Sequence, residues 1–365
     1  MEIALLDTTL REGEQSPHVS FTLDQKVKIV QMLDAFGIEF IEIGHPAVST
    51  DIQKAIEVLS QMDTRSEKII HSRALKKDID DAVHYNVPWV GIFYGTSDLS
   101  LKHKYNINKN DALFQIVDTV SYAKDLGLKV RFTAEDASRT KMSFLLDVAQ
   151  IVETAGADRF CLADTVGVLT PENTSLLVKE LKCATSLPLH IHCHNDLGLA
   201  TANVLAAINA GICVADVSIN GLGERCGIAA LAEVALILKN QYHAENNWDL
   251  LLLRTLAKEM ELISGIPNRM NQPIVGDYAF THKSGLHTRA VIQDPKTYEP
   301  YSPKLVGQNR NIIIDKFTGT AAVADRLSQL KINCTRYEIE RITSLIKSNP
   351  KSDPVTDLEL INYLN

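Results

Sequence analysis

The sequence has no run of basic residues and no long apolar segment. Its formal net charge is −8, so we expect no binding along a nucleic acid or an anionic membrane surface. An apolar stretch of about 20 residues, which a membrane-spanning helix requires, is also missing. Any anionic ligand must therefore be held by a local cluster of cations.

The six cysteines include no CxxC pair. Cys161 and Cys213 lie in apolar, strand-like runs, where a free thiol behaves as a small apolar group. This usage indicates a reducing compartment rather than a disulfide framework. The N-terminal segment MEIALLDTTLREGEQ carries acidic residues at once and has no apolar signal core. We therefore expect a cytoplasmic protein.

One pattern recurs along most of the chain: a helix-like segment, then Gly or Asn, then a short β-rich run that ends in polar residues. The Gly or Asn suits a left-handed helix C-cap, and it stands at Gly37, Asn86, Gly127, Gly156 and Gly211. The apolar run suits a buried parallel strand. With IALLD, KIIHSRA and LHIHCHND, there are about eight candidate strands, the number that closes a (β/α)8 TIM barrel.

This repeat stops near Pro267. We predict a barrel domain over 1–267, a loop-rich subdomain over 268–310, where Pro, Asn and Gly are frequent, and a small helical subdomain over 311–365. The amphipathic pattern of TRYEIERITSLIK predicts a helix in the last part.

The segment HIHCHND places three histidines on one face of a strand, because alternate side chains point the same way. His192 and His194, at the end of the strand, could share one divalent ion through neutral imidazole nitrogens. The alternative is an ordinary pair of polar strand-end histidines, and the spacing alone does not decide between the two.

The segment DTTLREGEQ after the first strand offers Asp7, Arg11, Glu12 and Gln15 within a short loop. A carboxylate there could complete a set of two histidines and one carboxylate around a metal ion. The adjacent arginine could hold a carboxylate or polarise a carbonyl group. The alternative is a loop of solvated charges at the start of a helix.

Two further segments carry weaker signals. The glycines of NGLGERCG would let backbone N–H groups hold a phosphate or a carboxylate. The segment THKSGLHTRA, with His282 and His287, could cover a site as a lid or simply pack a loop. Polar residues collect at the ends of the other candidate strands as well, and active sites of TIM barrels lie at that face.

The segments DTTLREGEQ, HCHNDLG, GLGERCG and HKSGLH occur in this order. With them the chain resembles the acetyl-CoA-dependent Claisen condensation enzymes of the DRE-TIM metallolyase group, the homocitrate, 2-isopropylmalate and citramalate synthases, with REG in place of RDG. The resemblance covers about residues 1–320. It implies a TIM barrel, a divalent metal ion and acetyl-CoA as co-substrate. It also implies a homodimer in which the loop-rich subdomain covers the partner's active site.

The resemblance assigns roles to individual residues. It implies the metal ligands Glu12, His192 and His194, and the O/N ligand set fits Mg, Mn, Zn or Co. It implies the catalytic residues Arg11, Glu135, His287 and Tyr298. The predicted substrate-binding residues are Arg11, Gln15, His71, Arg131, Thr133 and Thr165.

His71 in IIHSRA bears on the choice of the 2-oxo acid. The resemblance implies that a histidine at this position binds the distal carboxylate of 2-oxoglutarate, whereas leucine there lines an apolar pocket. An unpaired buried carboxylate is costly, so a cation at this position is reasonable. The expected reaction is therefore an acyl transfer from acetyl-CoA to 2-oxoglutarate that gives homocitrate and CoA in amino-acid biosynthesis.

Other functions stay open from the sequence. A synthase of 2-isopropylmalate or citramalate, or one that uses oxaloacetate or phosphonopyruvate, would share most of these motifs. A metal-dependent aldolase or acyl-CoA lyase would share the barrel and the HxH pair, but the long HKSGLH and TYEPY region favours the synthases. A barrel without catalytic activity would be expected to lose some of the predicted site residues, and all of those considered are present: Arg11, Glu12, His192, His194 and Glu135.

Overall fold

Eight parallel strands close into a barrel in the structure, a computed structural model that describes residues 3–364. Each strand pairs with the next, and β8 returns to β1, with Ala4 opposite Val214 and Asp7 opposite Val217. The strands are β1 Ala4–Asp7, β2 Phe40–Gly44, β3 Glu67–Arg73, β4 Trp89–Gly95, β5 Lys129–Glu135, β6 Arg159–Asp164, β7 Leu189–Cys193 and β8 Val214–Val217. The prediction of a (β/α)8 TIM barrel is confirmed.

Helices alternate with these strands along the chain. They are Leu23–Phe36, Thr50–Ser60, Lys76–His84, Lys109–Asp125, Met142–Thr154, Pro171–Ala184, Ala200–Ala210 and Leu231–Gln241, and a further helix follows at Leu253–Ser264. The first begins at a capping box in which the Thr22 and Gln25 side chains each accept from the other's backbone N–H. All five residues predicted to form left-handed caps have positive φ.

The N-terminal end of the barrel is filled by the first residues of its strands. Phe40, Trp89 and Val214 belong to one buried apolar cluster there. The Arg159 guanidinium stacks over the rings of Phe40 and Trp89, at 4.3 and 4.4 Å from their centroids. Burying each large apolar side chain contributes about 1.5–3 kcal/mol. The N-terminal end of the barrel is therefore closed by packed side chains, and the polar residues lie at the opposite face, at the C-terminal ends of the strands.

The described residues group into two compact units. The first contains the barrel and runs to Leu250, with Leu256–Pro267; the second comprises Leu251–Thr255 and the residues from Asn268 onward. None of the helices within residues 3–364 has the length and the apolar character needed to cross a membrane.

The second unit contains the short strands β9 Thr281–His282 and β10 Asn311–Ile312, which pair in parallel. Its helices are Gly285–Gln293, Thr320–Gln329, Arg336–Ser348 and Asp357–Asn362. The third of these is the helix predicted from TRYEIERITSLIK, and Thr335 and Glu338 form its capping box. The region predicted to be loop-rich contains the helix Gly285–Gln293, which its polar and glycine-containing sequence does not suggest.

A small apolar core holds the helical part of this unit together. Its buried members are Ile314, Val323, Leu327, Ile342, Ile346 and Leu360. Val323 and Leu327 on one helix, and Ile342 and Ile346 on another, are each four residues apart, as expected for amphipathic helices that pack on one face.

Candidate active site

A cavity of about 280 Å³ opens at the C-terminal ends of the barrel strands. Every barrel residue predicted from the sequence as a ligand, catalytic group or substrate contact lines it. The other lining residues are Phe93, Lys104, Ala163 and Glu224. These side chains meet because the polar residues of successive parallel strands all follow the same edge of the barrel.

Glu12, His192 and His194 converge at one side of this cavity. One potential ligand atom from each lies within 4.8 Å of the other two. The two Nε2 atoms are 3.3 Å apart, and each is 3.9 Å from a carboxylate oxygen of Glu12. All three residues are buried. A cluster of two imidazoles and one carboxylate is an O/N ligand set suited to a divalent metal ion.

Asp216 determines the orientation of the His192 ring. Its carboxylate lies 2.8 Å from Nδ1 of His192 and 2.5 Å from Nε2 of His190. Burial disfavours the charged form, but Arg131 and His190 outweigh it and hold the pKa of Asp216 well below its ordinary value. A charged carboxylate only accepts hydrogen bonds, so Nδ1 of His192 carries a hydrogen. Its Nε2 lone pair then faces His194 and Glu12, as in a histidine that binds a metal ion.

Glu12 is held in place by the main chain and by its neighbour in sequence. The backbone N–H of Glu224 donates to Oε1 at 3.0 Å, and Nη1 of Arg11 donates to Oε2. Burial raises the pKa of Glu12, but Arg11 and the two histidines lower it more, to about 2. The carboxylate is therefore charged at neutral pH. The segment NGLGERCG was predicted to hold a phosphate or a carboxylate through backbone N–H groups. The N–H of Glu224 in this segment binds the carboxylate of Glu12, which belongs to the chain itself.

Glu42, on β2, collects donors from three other elements. Nε of Arg11 lies 2.7 Å and Nδ1 of His71 2.9 Å from its carboxylate, and Nη1 of Arg131 lies 3.4 Å away. Although burial opposes the charge, Arg11, the hydrogen bond from His71 and Arg131 hold the pKa of Glu42 well below its ordinary value. This carboxylate therefore contacts three predicted substrate-binding residues, Arg11, His71 and Arg131.

Arg131 lies almost entirely within the barrel, with 1% of its surface exposed. Nη2 donates to Asp216 at 2.5 Å and to Sγ of Cys161 at 3.2 Å. Cys161, His190 and Asp216 are close enough to resemble a second metal cluster. The guanidinium already supplies a cation to that group, so we assign no ion there.

The remaining predicted contacts differ in how free they are to bind a ligand. Oγ1 of Thr133 is buried and has no hydrogen-bond partner among residues 3–364. Oγ1 of Thr165 accepts from the backbone N–H of Asp136 at 2.8 Å, which leaves its hydroxyl hydrogen available to an acceptor. Both oxygens of Glu135 accept from Nζ of Lys104, at 2.9 and 2.7 Å. Gln15 lines the cavity and is exposed.

An aromatic group forms the side of the cavity at His71. The His71 ring stacks on Phe93, with centroids 4.6 Å apart and planes 10° from parallel. His45 meets both rings edge-on, and its Nδ1 lies 2.7 Å from the backbone oxygen of His71. The imidazole plane of His71 is thus fixed by packing on one side and by Glu42 at its Nδ1.

Comparison with known proteins places the chain in a family. The family model described as HMGL-like matches residues 2–259, and the one described as homocitrate synthase post-HMGL domain-like matches residues 274–353. The chain is 45% identical to a homocitrate synthase of Sulfurisphaera tokodaii and 46% identical to one of Sulfolobus acidocaldarius. Each alignment covers 99% of this chain, and 79% and 78% of the relatives. The chain belongs to the homocitrate synthase family.

Solved structures of similar fold agree with the barrel assignment. A Bacillus subtilis HMG-CoA lyase matches with a TM-score of 0.66 at 20% identity, covering 73% of this chain and 95% of the lyase. A hydroxymethylglutaryl-CoA lyase from Pseudomonas aeruginosa matches with a TM-score of 0.66 at 23% identity, covering 73% and 94%. At these identities the similarity concerns the fold alone.

Two residues predicted to be catalytic in this family, His287 and Tyr298, belong to the second unit. Their rings stack with centroids 4.0 Å apart, and both side chains are exposed. The neighbouring His282 contacts Glu299 at 3.2 Å, and Glu299 also pairs with Arg310 at 2.6 Å. His282 thus lies in an ion-pair network, whereas His287 and Tyr298 remain predicted catalytic residues.

Two buried carboxylates and one cation of the site were given no individual role from the sequence. Glu42 was expected only as one of the polar residues at the strand ends, and Asp216 and Lys104 were not singled out. The only local signal for Asp216 is an acidic residue inside the apolar run VADV of β8. Lys104 lies on the single π-helical turn Leu101–Tyr105 of the described chain, a local irregularity that often marks functional sites.

Proposed function

We propose that the chain condenses acetyl-CoA with 2-oxoglutarate to give homocitrate and CoA. The observation that carries the proposal is its 45% identity, over 99% of its length, to a protein named homocitrate synthase. The cavity supports it, because a cluster of two histidines and a carboxylate lies in the same cavity as two cations, Arg11 and Arg131, and the imidazole of His71.

Glu12, His192 and His194 would hold a divalent ion, which when bound supplies Lewis-acid activation of the substrate ketone. Arg11 lies beside these ligands. Its Nε and Nη1 are fixed by Glu42 and Glu12, which holds the plane of the guanidinium. Its Nη2 has no partner within residues 3–364 and can donate to the oxygen that becomes an alkoxide.

The 2-oxo acid would bind along the cavity from the ligand cluster to His71. The hydroxyl groups of Thr133 and Thr165 can donate to its C1 carboxylate. Its distal carboxylate would reach His71, whose ring plane is fixed by Phe93 and Glu42. Buried carboxylates need such donors, because an unpaired charge is costly away from water.

The condensation requires a base for the methyl group of acetyl-CoA. Glu135, or the His287–Tyr298 pair of a second copy of the chain in a homodimer, would accept this proton. The methyl carbon then forms a bond with the ketone carbon, and the alkoxide oxygen receives a proton. Water cleaves the thioester, and sulfur leaves as the CoA thiol.

A CoA-thiol release assay with acetyl-CoA and a panel of 2-oxo acids tests the proposal. We expect a higher kcat/KM with 2-oxoglutarate than with 2-oxoisovalerate or pyruvate, because only 2-oxoglutarate carries a distal carboxylate. A preference for 2-oxoisovalerate would contradict the proposal.

We also propose a cytoplasmic location for the chain. The six free cysteines, two of them exposed, fit a reducing compartment.

A further inference from the structure

Glu42 determines which nitrogen of His71 carries a hydrogen. Nδ1 of His71 lies 2.9 Å from Oε1 of this fully buried carboxylate. The carboxylate is charged and can only accept, because Nε of Arg11 and Nη1 of Arg131 also approach it. Nδ1 of His71 is therefore protonated, and Nε2 is the nitrogen left for a ligand.

The neutral form of this ring cannot bind a carboxylate. With a hydrogen on Nδ1, neutral imidazole presents a lone pair at Nε2. Nε2 of His71 makes no hydrogen bond within residues 3–364, and the ring lines the cavity. A substrate carboxylate next to Nε2 would therefore place its oxygen lone pairs against the nitrogen lone pair, with no hydrogen between them. Donation from Nε2 requires a second proton on the ring.

Before a ligand binds, the surroundings of His71 disfavour a second proton on its ring. Burial lowers the pKa of His71 to about 4, and the positive charge of Arg11 and the His45 ring act in the same direction against Glu42. Lys104 lies over Phe93, with Nζ 5.3 Å from the ring centroid, and its charge is paired with Glu135. The free site therefore contains a neutral His71 at neutral pH.

We propose that 2-oxoglutarate binds together with one proton, which His71 accepts at Nε2, so that an imidazolium bridges Glu42 and the distal carboxylate of the substrate. This inference rests on the function proposed above. The proton comes from the solvent, and no bond of the substrate breaks. Because the product retains the same carboxylate, the proton stays on His71 until the product leaves.

A specificity that depends on pH follows from this arrangement. The bound carboxylate raises the pKa of His71 above its value in the free site, so binding is tightest at low pH. Between the free and the bound pKa, each unit of rising pH weakens 2-oxoglutarate about tenfold. A 2-oxo acid without a distal carboxylate needs no such proton, so its affinity lacks this dependence.

Calorimetric titration of the full-length, metal-loaded protein measures the proton directly. The binding heats of 2-oxoglutarate and 2-oxopentanoate are compared at pH 7.5 in buffers of different ionisation enthalpy. These two acids share the ketone and the C1 carboxylate and differ only at the distal end. We expect an uptake of about one proton more for 2-oxoglutarate. Equal proton uptake for both acids would overturn the inference.

The variant His71→Gln provides a second measurement that needs only 2-oxoglutarate. Its neutral amide can donate to a carboxylate without taking a proton, so binding should persist in weakened form while the proton uptake disappears. His84→Gln, on the exposed end of the helix Lys76–His84, is the matched control and should keep the uptake. Continued uptake by His71→Gln would assign the proton to another group and refute the inference.

These results are separable from the test of the proposed function. If CoA release shows that 2-oxoglutarate is not the preferred acid, the proposed function fails. If 2-oxoglutarate is preferred but binds without extra proton uptake, only the proposed protonation of His71 beside Glu42 fails.

Discussion

Two imidazoles in the cavity share one arrangement and face different surroundings. His192 directs Nδ1 to the buried carboxylate of Asp216 at 2.8 Å, and His71 directs Nδ1 to that of Glu42 at 2.9 Å. Beyond Nε2, His192 meets His194 at 3.3 Å and the charged oxygens of Glu12. No hydrogen bond within residues 3–364 reaches Nε2 of His71, and its ring stacks on Phe93.

The difference shows that a buried carboxylate fixes only where a histidine points its second nitrogen. What binds there depends on the next group. At His192 a second imidazole and a negative charge surround the lone pair, so a cation is the suitable occupant. At His71 the distal carboxylate of the substrate is expected, and Nε2 must be protonated before it can donate a hydrogen bond to this carboxylate. Three substitutions test this comparison.

The largest effect is expected from Glu12→Gln, which removes the negative charge at the His192 side. Loss of the ion should remove several kcal/mol of transition-state stabilisation, on the order of a thousandfold in kcat/KM. Titration with Mn²⁺ and the CoA-release assay measure the two consequences. Glu57→Gln, on the exposed face of the helix Thr50–Ser60, is the control. Unchanged metal affinity in Glu12→Gln would contradict the claim that the charge of Glu12 makes the surroundings of His192, unlike those of His71, a cation site.

The second substitution, His71→Leu, acts on the other side of the comparison. A hydrogen bond to a charged group contributes about 1.5–3 kcal/mol, so kcat/KM for 2-oxoglutarate should fall by roughly a hundredfold. Use of 2-oxopentanoate should change little, and metal affinity should not change. An equal loss for both acids would mean that His71 does not set specificity.

The smallest effect is expected from Asp216→Asn, which weakens the orientation of His192 and leaves the three ligands in place. Metal affinity should fall about tenfold or more, as for other partners behind a ligand histidine. Arg131 also loses a counter-charge, so the unfolding temperature is measured alongside the metal titration. Asp51→Asn, at an exposed position, is the control. Unchanged metal affinity in a folded Asp216→Asn would show that the carboxylate behind His192 has no orienting role.

The barrel could be predicted from the sequence because each of its units repeats the same local pattern. Gly37 and Asn86, for example, both end a helix with positive φ before a buried strand. Such signals involve residues close together in the chain. The placement of polar residues at strand ends followed from the same repeat, so the lining of the cavity was largely anticipated.

The roles of the carboxylates beneath the cavity could not be predicted in this way. Asp216 bonds to His192, His190 and Arg131, which lie 24, 26 and 85 residues away. Its neighbours along β8 are apolar, and its role exists only once the barrel has closed. Glu42 likewise depends on Arg11 and on residues of other strands. Long-range pairing of this kind leaves no periodic trace in a single sequence.

The amide that holds Oε1 of Glu12 belongs to the main chain at position 224. Every residue type except proline supplies that N–H, so a change of the side chain at 224 leaves this hydrogen bond to Glu12 in place. The path of the loop has no such freedom. Gly227 has φ of +77°, and a Cβ there would lie 1.8 Å from the backbone oxygen of Gly221. Among natural variants of this loop, we therefore expect several residue types at position 224 and only glycine at position 227.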